Sequence, residues 1–218
     1  MNEQAHRAEA PIVIGVAGGV GSGKSTVARM LGDRGFIVWD FDAMAKALLD
    51  RPDVLAQIVE WWGDDVQTTD AETGDARANR AAIAGIIFSD DDARHRLESL
   101  IHPLVMRSHD DAAAAAEAAG APGVVFDAPL LFEAGLDASC DFVVFVEVPR
   151  AVRESRVTSR RGWDATELDR RESAQRPLPE KRAASRYVIT NDGDESGLRS
   201  QVDRLCATIG ATSGYDVA

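Results

Sequence analysis

Gly18-Gly19-Val20-Gly21-Ser22-Gly23-Lys24-Ser25 fits the spacing Gly-x-x-x-x-Gly-Lys-Ser/Thr without a gap. The chemistry served by this spacing is the holding of a nucleotide's phosphates. Glycines let backbone N–H groups turn inward around phosphate oxygens, Lys24 reaches the β and γ phosphates, and the Ser25 hydroxyl ligates Mg²⁺. A helix that starts at Ser25 adds partial positive charge. Lys24 is one of three lysines in the chain, so abundance does not explain its place. Further on, Asp40-Phe41-Asp42 puts two carboxylates two residues apart. One of them can accept a proton from an attacking hydroxyl or hold Mg²⁺ through water. The structural alternative is that an acid there starts the next helix.

The class of phosphate-loop protein is narrowed by what is missing. A guanine-reading Asn-Lys-x-Asp is absent, and Asn191-Asp192-Gly193-Asp194 lacks the lysine. Asp194 to Gly197 is the one Asp-x-x-Gly, too late in the chain for a switch region. No long apolar segment ends in a paired Asp-Glu. A small-molecule kinase using ATP and Mg²⁺ is the favoured class.

These residues need a scaffold that brings strand ends to one edge. Ile12 to Ala17 is a short apolar run, as in a buried parallel strand. Further strands are expected at 36–40, 123–127, 141–146 and 187–190. Helices are expected over 25–34, 43–62, 80–88, 150–161 and from Trp163. Another starts at Ser89-Asp90, with Pro103 kinking it or opening a new one. Residues 63–79 read as a polar loop, and Leu198, Val202, Leu205 and Ile209 mark one face of a last helix. Strands separated by helices imply a parallel sheet, with ligands at its carboxyl edge. The expectation is one α/β domain, a three-layer fold with a five-stranded parallel sheet.

Composition excludes several other classes. The chain has 218 residues, 45% of them hydrophobic, and a net charge of −12. That acidity disfavours a general nucleic-acid binder. No apolar run approaches a membrane span, and Met1 to Ala10 lacks a secretory pattern, so a cytoplasmic protein is expected. Two cysteines, Cys140 and Cys206, make no disulfide framework and have no partners at zinc-ligand spacing. Against the overall acidity, residues 150–186 hold ten Arg and one Lys beside six acids. That segment either holds an anionic ligand or is a solvated face of paired charges. Trp61, Trp62 and Trp163 are expected to pack rather than stack on a ligand.

The chain resembles the dephospho-CoA kinase family from Ile12 to Leu205. The resemblance is carried by the loop Ala17 to Ser25, with Ala17 in place of a usual Thr, and by Asp40-Phe41-Asp42 and His102-Pro103. It continues with Pro129-Leu130-Leu131-Phe132-Glu133, Arg156 and Arg160, Gln175, and Val188-Ile189-Thr190-Asn191. Ser185-Arg186 stands where Ala-Asp is common, a second departure that bears on local contacts around ATP. The resemblance implies a nucleotide-kinase-like fold and transfer of the ATP γ-phosphoryl group to the ribose 3′-hydroxyl of dephospho-CoA. It implies Asp42 as the base. Lys24, Ser25 and Mg²⁺ would neutralise the phosphates, and Arg156 and Arg160 would close from a lid. The loop from Gly19, Val20, Gly21, Ser22 and Gly23 through Thr26, with Asn191 beside the adenine, would bind ATP. Arg80, His102, Leu131, Phe132 and Glu133 would lie near the acceptor. It further implies a sheet core of 11–44, 122–149 and 187–212, substrate-covering helices over 45–121, and a lid over 150–186. The alternatives are another phosphate-loop kinase, or a regulatory nucleotide-binding module that does not turn over.

Overall fold

The computed structural model describes residues 11–213. The chain divides into two compact units, one comprising residues up to Asp40 with those from Ala112 onward, the other Phe41–Asp111.

The first unit is built on strands β1 (Ile12–Gly18), β2 (Ile37–Asp40), β5 (Gly123–Asp127), β6 (Phe142–Glu147) and β7 (Tyr187–Thr190). All pair in parallel, in the order β2-β5-β1-β6-β7. Each expected strand is present, within a residue of its expected limits. The runs of β1, β5 and β6 are legible because both faces of the sheet's centre are covered, so alternation gives way to continuous apolar sequence. Ile12, Ile14 and Val16 of β1 join Val125, Val144 and Val146 in a core with two helices. These are α1 (Lys24–Gly32), through Val27, Ala28, Met30 and Leu31, and α9 (Glu195–Ser213), through Leu198, Val202, Leu205 and Ile209. That spacing is one helical stripe. The alternate residues Val124, Phe126, Val143 and Phe145 are also buried. Strand geometry turns them to the opposite face. There Gly15 leaves room for Leu131 and Cys140, whose atoms lie 2.8 and 2.9 Å from where a Cβ would stand. Both cysteines are free thiols. Burial pushes Cys140 up to about 12, so it stays protonated.

The basic segment forms α6 (Arg150–Arg161), α7 (Ala165–Ser173) and α8 (Leu178–Ala183). Asp164 caps α7 by accepting the Glu167 N–H at 2.8 Å. The corner before it is anchored by Trp163, with the Arg161 and Arg171 guanidiniums over its ring at 4.7 and 3.9 Å. α7 ends at Ser173, before either proline; Pro177 precedes α8 and Pro179 sits in its first turn.

The second unit holds α2 (Phe41–Leu48), α3 (Pro52–Trp62), β3 (Gln67–Thr69), β4 (Ala76–Ala78), α4 (Arg80–Ser89) and most of α5 (Asp91–Ala119). Two features depart from the sequence expectation, and a third settles one of its alternatives. The helix expected over 43–62 is two helices, because Arg51, before Pro52, is extended at ψ 130. The expected loop contains the antiparallel pair β3–β4. Its turn is set by Asp70, whose carboxylate accepts the N–H groups of Glu72 and Thr73. The pair has little apolar alternation to announce it; in this stretch Val66 and Ala78 are the buried residues. Finally, α5 runs through Pro103, so the proline does not open a new helix. The proline forfeits one intrahelical hydrogen bond, while Leu97, Ile101, Leu104 and Val105 on either side stay packed in this unit's core. Among the described residues, no helix is long and apolar enough to cross a membrane.

Candidate active site

β1 ends at Gly18 and α1 begins at Lys24, so the phosphate motif is the connection between them. Gly23 precedes the helix at φ 89, a left-handed conformation that favours glycine. A Cβ there would also stand 2.5 Å from Asn191 Nδ2. The Gly23 carbonyl accepts the Thr26 and Val27 N–H groups and starts the helix. Ser25 is exposed on its first turn, and Lys24 Nζ donates to the Gly18 and Gly19 carbonyls at 3.1 and 3.2 Å.

A loop whose N–H groups face a ligand must turn some carbonyls outward, and those need donors. Here the donors come from β7's end and from α6. Asn191 continues the sheet ladder through its N–H to the Glu147 carbonyl, and its Nδ2 donates to the Ser22 carbonyl at 2.8 Å. Arg156 donates to the Asn191 carbonyl at 2.9 Å and to that of Ser22 at 3.5 Å. Asn191, expected beside adenine, thus spends its side-chain amide on the loop. Val20 directs its N–H onto Glu172 Oε1 at 3.2 Å. Ser22 is fully buried, and its Oγ has no hydrogen-bond partner among the described residues.

The solvated-face reading of the basic segment holds for most of its arginines. Arg150 pairs with Glu154 and Asp169, Arg170 and Arg171 with Glu167, Arg176 with Glu180, and Arg182 with Glu147. These are solvated pairs of small energetic weight. Among the described residues, Arg156 and Arg160 have no acid partner, so their charge is not spent within the segment.

Across the sheet edge, Asp127 at the end of β5 lies in register with Asp40 at the end of β2 and with Val16 of β1. Asp127 is buried and Asp40 exposed. Beyond β5, Leu131 and Phe132 are buried, and Arg176 lies over the Phe132 ring at 5.3 Å. Glu133 accepts the Arg176 N–H at 2.7 Å and meets Lys181 Nζ at 2.8 Å. Lys181 is 2% exposed and also donates to Gln175 Oε1 at 2.9 Å. Sequence inspection gave Lys181 no role, since 48 residues separate it from Glu133.

Burial pushes the Glu133 carboxyl up. The hydrogen bonds from Lys181 and the Arg176 N–H outweigh it and hold the group below its ordinary 4.5. A carboxyl lowered on folding adds stability that is complete above its unfolded value and disappears as pH falls through the folded one. Lys181→Met should therefore cost roughly 2–4 kcal/mol at pH 7, because it strands a partly buried carboxylate. Thermal melts should show the gap from wild type narrowing below pH 4.5. A gap constant down to pH 3 would mean that packing, not charge, sets the cost.

In the second unit, Asp42 lies in the first turn of α2. Arg80 donates to Asp50 at 2.7 Å and to the Lys46 carbonyl at 3.3 Å, and Asp50 also accepts the Ala78 N–H. His102 is exposed on α5.

Comparison with known proteins follows the same lines. A family model described as dephospho-CoA kinase matches residues 12–196. The dephospho-CoA kinase of Anaeromyxobacter dehalogenans is 38% identical over 90% of this chain and 92% of its own. That of Syntrophotalea carbinolica is 40% identical over 91% and 92%. Among solved structures, TT1252 from Thermus thermophilus aligns with TM-score 0.72 and 32% identity, over 92% of this chain and 98% of its own. Dephospho-CoA kinase from Campylobacter jejuni aligns at 0.68 over the same shares, and at 19% identity it speaks for the fold alone. With its phosphate loop built and matched along nearly its whole described length, the chain belongs to the dephospho-CoA kinase family.

Proposed function

We propose that this chain transfers the γ-phosphoryl group of ATP to the ribose 3′-hydroxyl of dephospho-CoA, yielding coenzyme A and ADP in the cytoplasm. The observation that carries this reading is a formed phosphate loop in a chain that matches the family over residues 12–196. The new bond joins the ribose oxygen to the γ-phosphorus, the bond to the β-phosphate oxygen breaks, and the ribose proton goes to Asp42. Such transfer asks the protein for positioning and charge more than for covalent chemistry. Lys24 supplies positive charge at the loop, and Arg156 and Arg160 supply it from the lid. Arg80, His102 and the turn Leu131–Glu133 serve the acceptor, within a substrate region of residues 45–121.

A Mg²⁺ ion fits the donors present. Ser25, which carries a hydroxyl, is an exposed residue on the first turn of α1, and Asp40 and Asp127 are paired residues at the ends of β2 and β5. Oxygen donors of this kind suit a hard cation that is shared with substrate phosphates. When bound, the ion neutralises charge on the phosphates. Ser25 would hold it directly, and the carboxylates would orient its waters.

The test is ADP release from Mg·ATP with and without dephospho-CoA, with the product identified by mass. ADP and coenzyme A should rise together, only when acceptor is present. Folded protein that binds ATP yet shows no acceptor-dependent ADP release would overturn the assignment. Turnover with other hydroxyl acceptors would then indicate a different kinase, and no turnover at all a binding module.

A further inference from the structure

Arg153 and Glu172 lie 19 residues apart on α6 and α7 and form an ion pair against the phosphate loop. Arg153 is 5% exposed, and the Glu172 side chain 16%. Both polar atoms of one loop residue are held by this pair. Glu172 Oε1 accepts the Val20 N–H at 3.2 Å, and Arg153 Nη1 donates to the Val20 carbonyl at 3.4 Å. Arg153 Nε donates to the Val148 carbonyl at 3.3 Å, tying the loop to the end of β6. The pair rests on the backbone itself. A Cβ on Gly19 would stand 2.9 Å from Arg153 Nη1 and 3.0 Å from Glu172 Oε1.

A buried ion pair is a poor source of stability, because desolvation offsets most of its attraction and apolar residues of similar size do as well. Its value lies in fixing geometry. A carboxylate beside a loop that must receive phosphate would also repel the ligand if it were not neutralised. Arg153 supplies that neutralisation while keeping Glu172 as an acceptor for the Val20 N–H. On the reading of this loop as the ATP site, we infer that Arg153 and Glu172 are positioning residues. They hold the Val20 segment from outside, so that the amides from Gly21 to Thr26 stay arranged for phosphate. Neither residue needs to touch the nucleotide.

The decisive variant is Arg153→Met together with Glu172→Leu, which replaces both charges by apolar groups of similar size. It should fold and melt near wild type. Calorimetry should show Mg·ADP binding weakened about tenfold, the scale of one or two lost hydrogen bonds. Adenosine binding and the KM for dephospho-CoA should stay within about twofold, and the KM for ATP should rise. Glu172→Gln keeps an acceptor for Val20 but loses the charge, and should weaken ADP binding by a smaller factor of about three. If the double variant does not fold, this single substitution decides. Folded variants that bind ADP as wild type does would overturn the inference and leave the pair a structural tie. Wild-type protein that binds no nucleotide would overturn the loop reading, and the inference with it.

Discussion

Lys24→Ala should lower turnover by about two to three orders of magnitude, the scale seen when one preorganised donor is removed from a developing anion. It should also weaken ATP binding. The argument starts from position: Lys24 is the first residue of α1, where the loop becomes helix. Its Nζ donates to the Gly18 and Gly19 carbonyls, which holds the ammonium over the loop. A phosphate arriving there meets a cation already in place. Alanine suits a helix well, so the variant should fold and melt near wild type. Arginine would not be a conservative replacement, because a planar fork is longer and distributes its charge differently. The check is kcat and KM for ATP beside a thermal melt. A folded Lys24→Ala protein with wild-type kinetics would remove the phosphate-loop argument altogether.

How much of this was legible in the sequence depended on the range of the interaction. The loop is a local device, eight consecutive residues between a strand and a helix, and its residue types carry its chemistry. The central strands were legible because burial on both faces leaves continuous apolar runs such as Val124 to Phe126 and Val143 to Val146, whereas the edge strands β2 and β7 expose Val38 and Val188 and were legible as short β-branched and aromatic runs. The hairpin β3–β4 was not, because most of its residues are exposed and its turn is made by one aspartate. The break before Pro52 could have been read, since a residue preceding proline resists the helical conformation. The positioning pair and the Glu133–Lys181–Gln175 network were out of reach. Arg153 was one of ten arginines in its segment and Glu172 one of six acids. Only the packing of α6 and α7 against the loop singles these two out. The same packing gives Arg156 and Asn191 work on loop carbonyls that the family resemblance did not foretell.

Asp42→Asn should remove most phosphoryl transfer, about 10²- to 10⁴-fold in kcat, which is the range of general acid–base catalysis. Mg·ATP binding should stay within about twofold of wild type, since general-base action is exerted on the acceptor and not on the nucleotide. Asp42 stands in the first turn of α2, where an acid also favours the helix through its partial positive end. Asparagine separates the two roles. It keeps the shape and a hydrogen-bonding oxygen, so α2 should lose little, but it cannot take up the ribose proton. Asp40→Asn is the natural contrast, because Asp40 closes β2 in register with Asp127. If Asp40 orients the waters of a metal ion, its variant should show a raised Mg²⁺ requirement, with activity recovering at high Mg²⁺. Asp42→Asn should not recover at any Mg²⁺ concentration. The measurement is kcat against Mg²⁺ for both variants, with calorimetric ATP binding as a check on the loop. Near-wild-type turnover in Asp42→Asn would sink its assignment as the base. Near-wild-type turnover in Asp42→Asn together with a loss in Asp40→Asn that no Mg²⁺ restores would transfer the base role to Asp40, since the two carboxylates are the only acids in this segment of the motif.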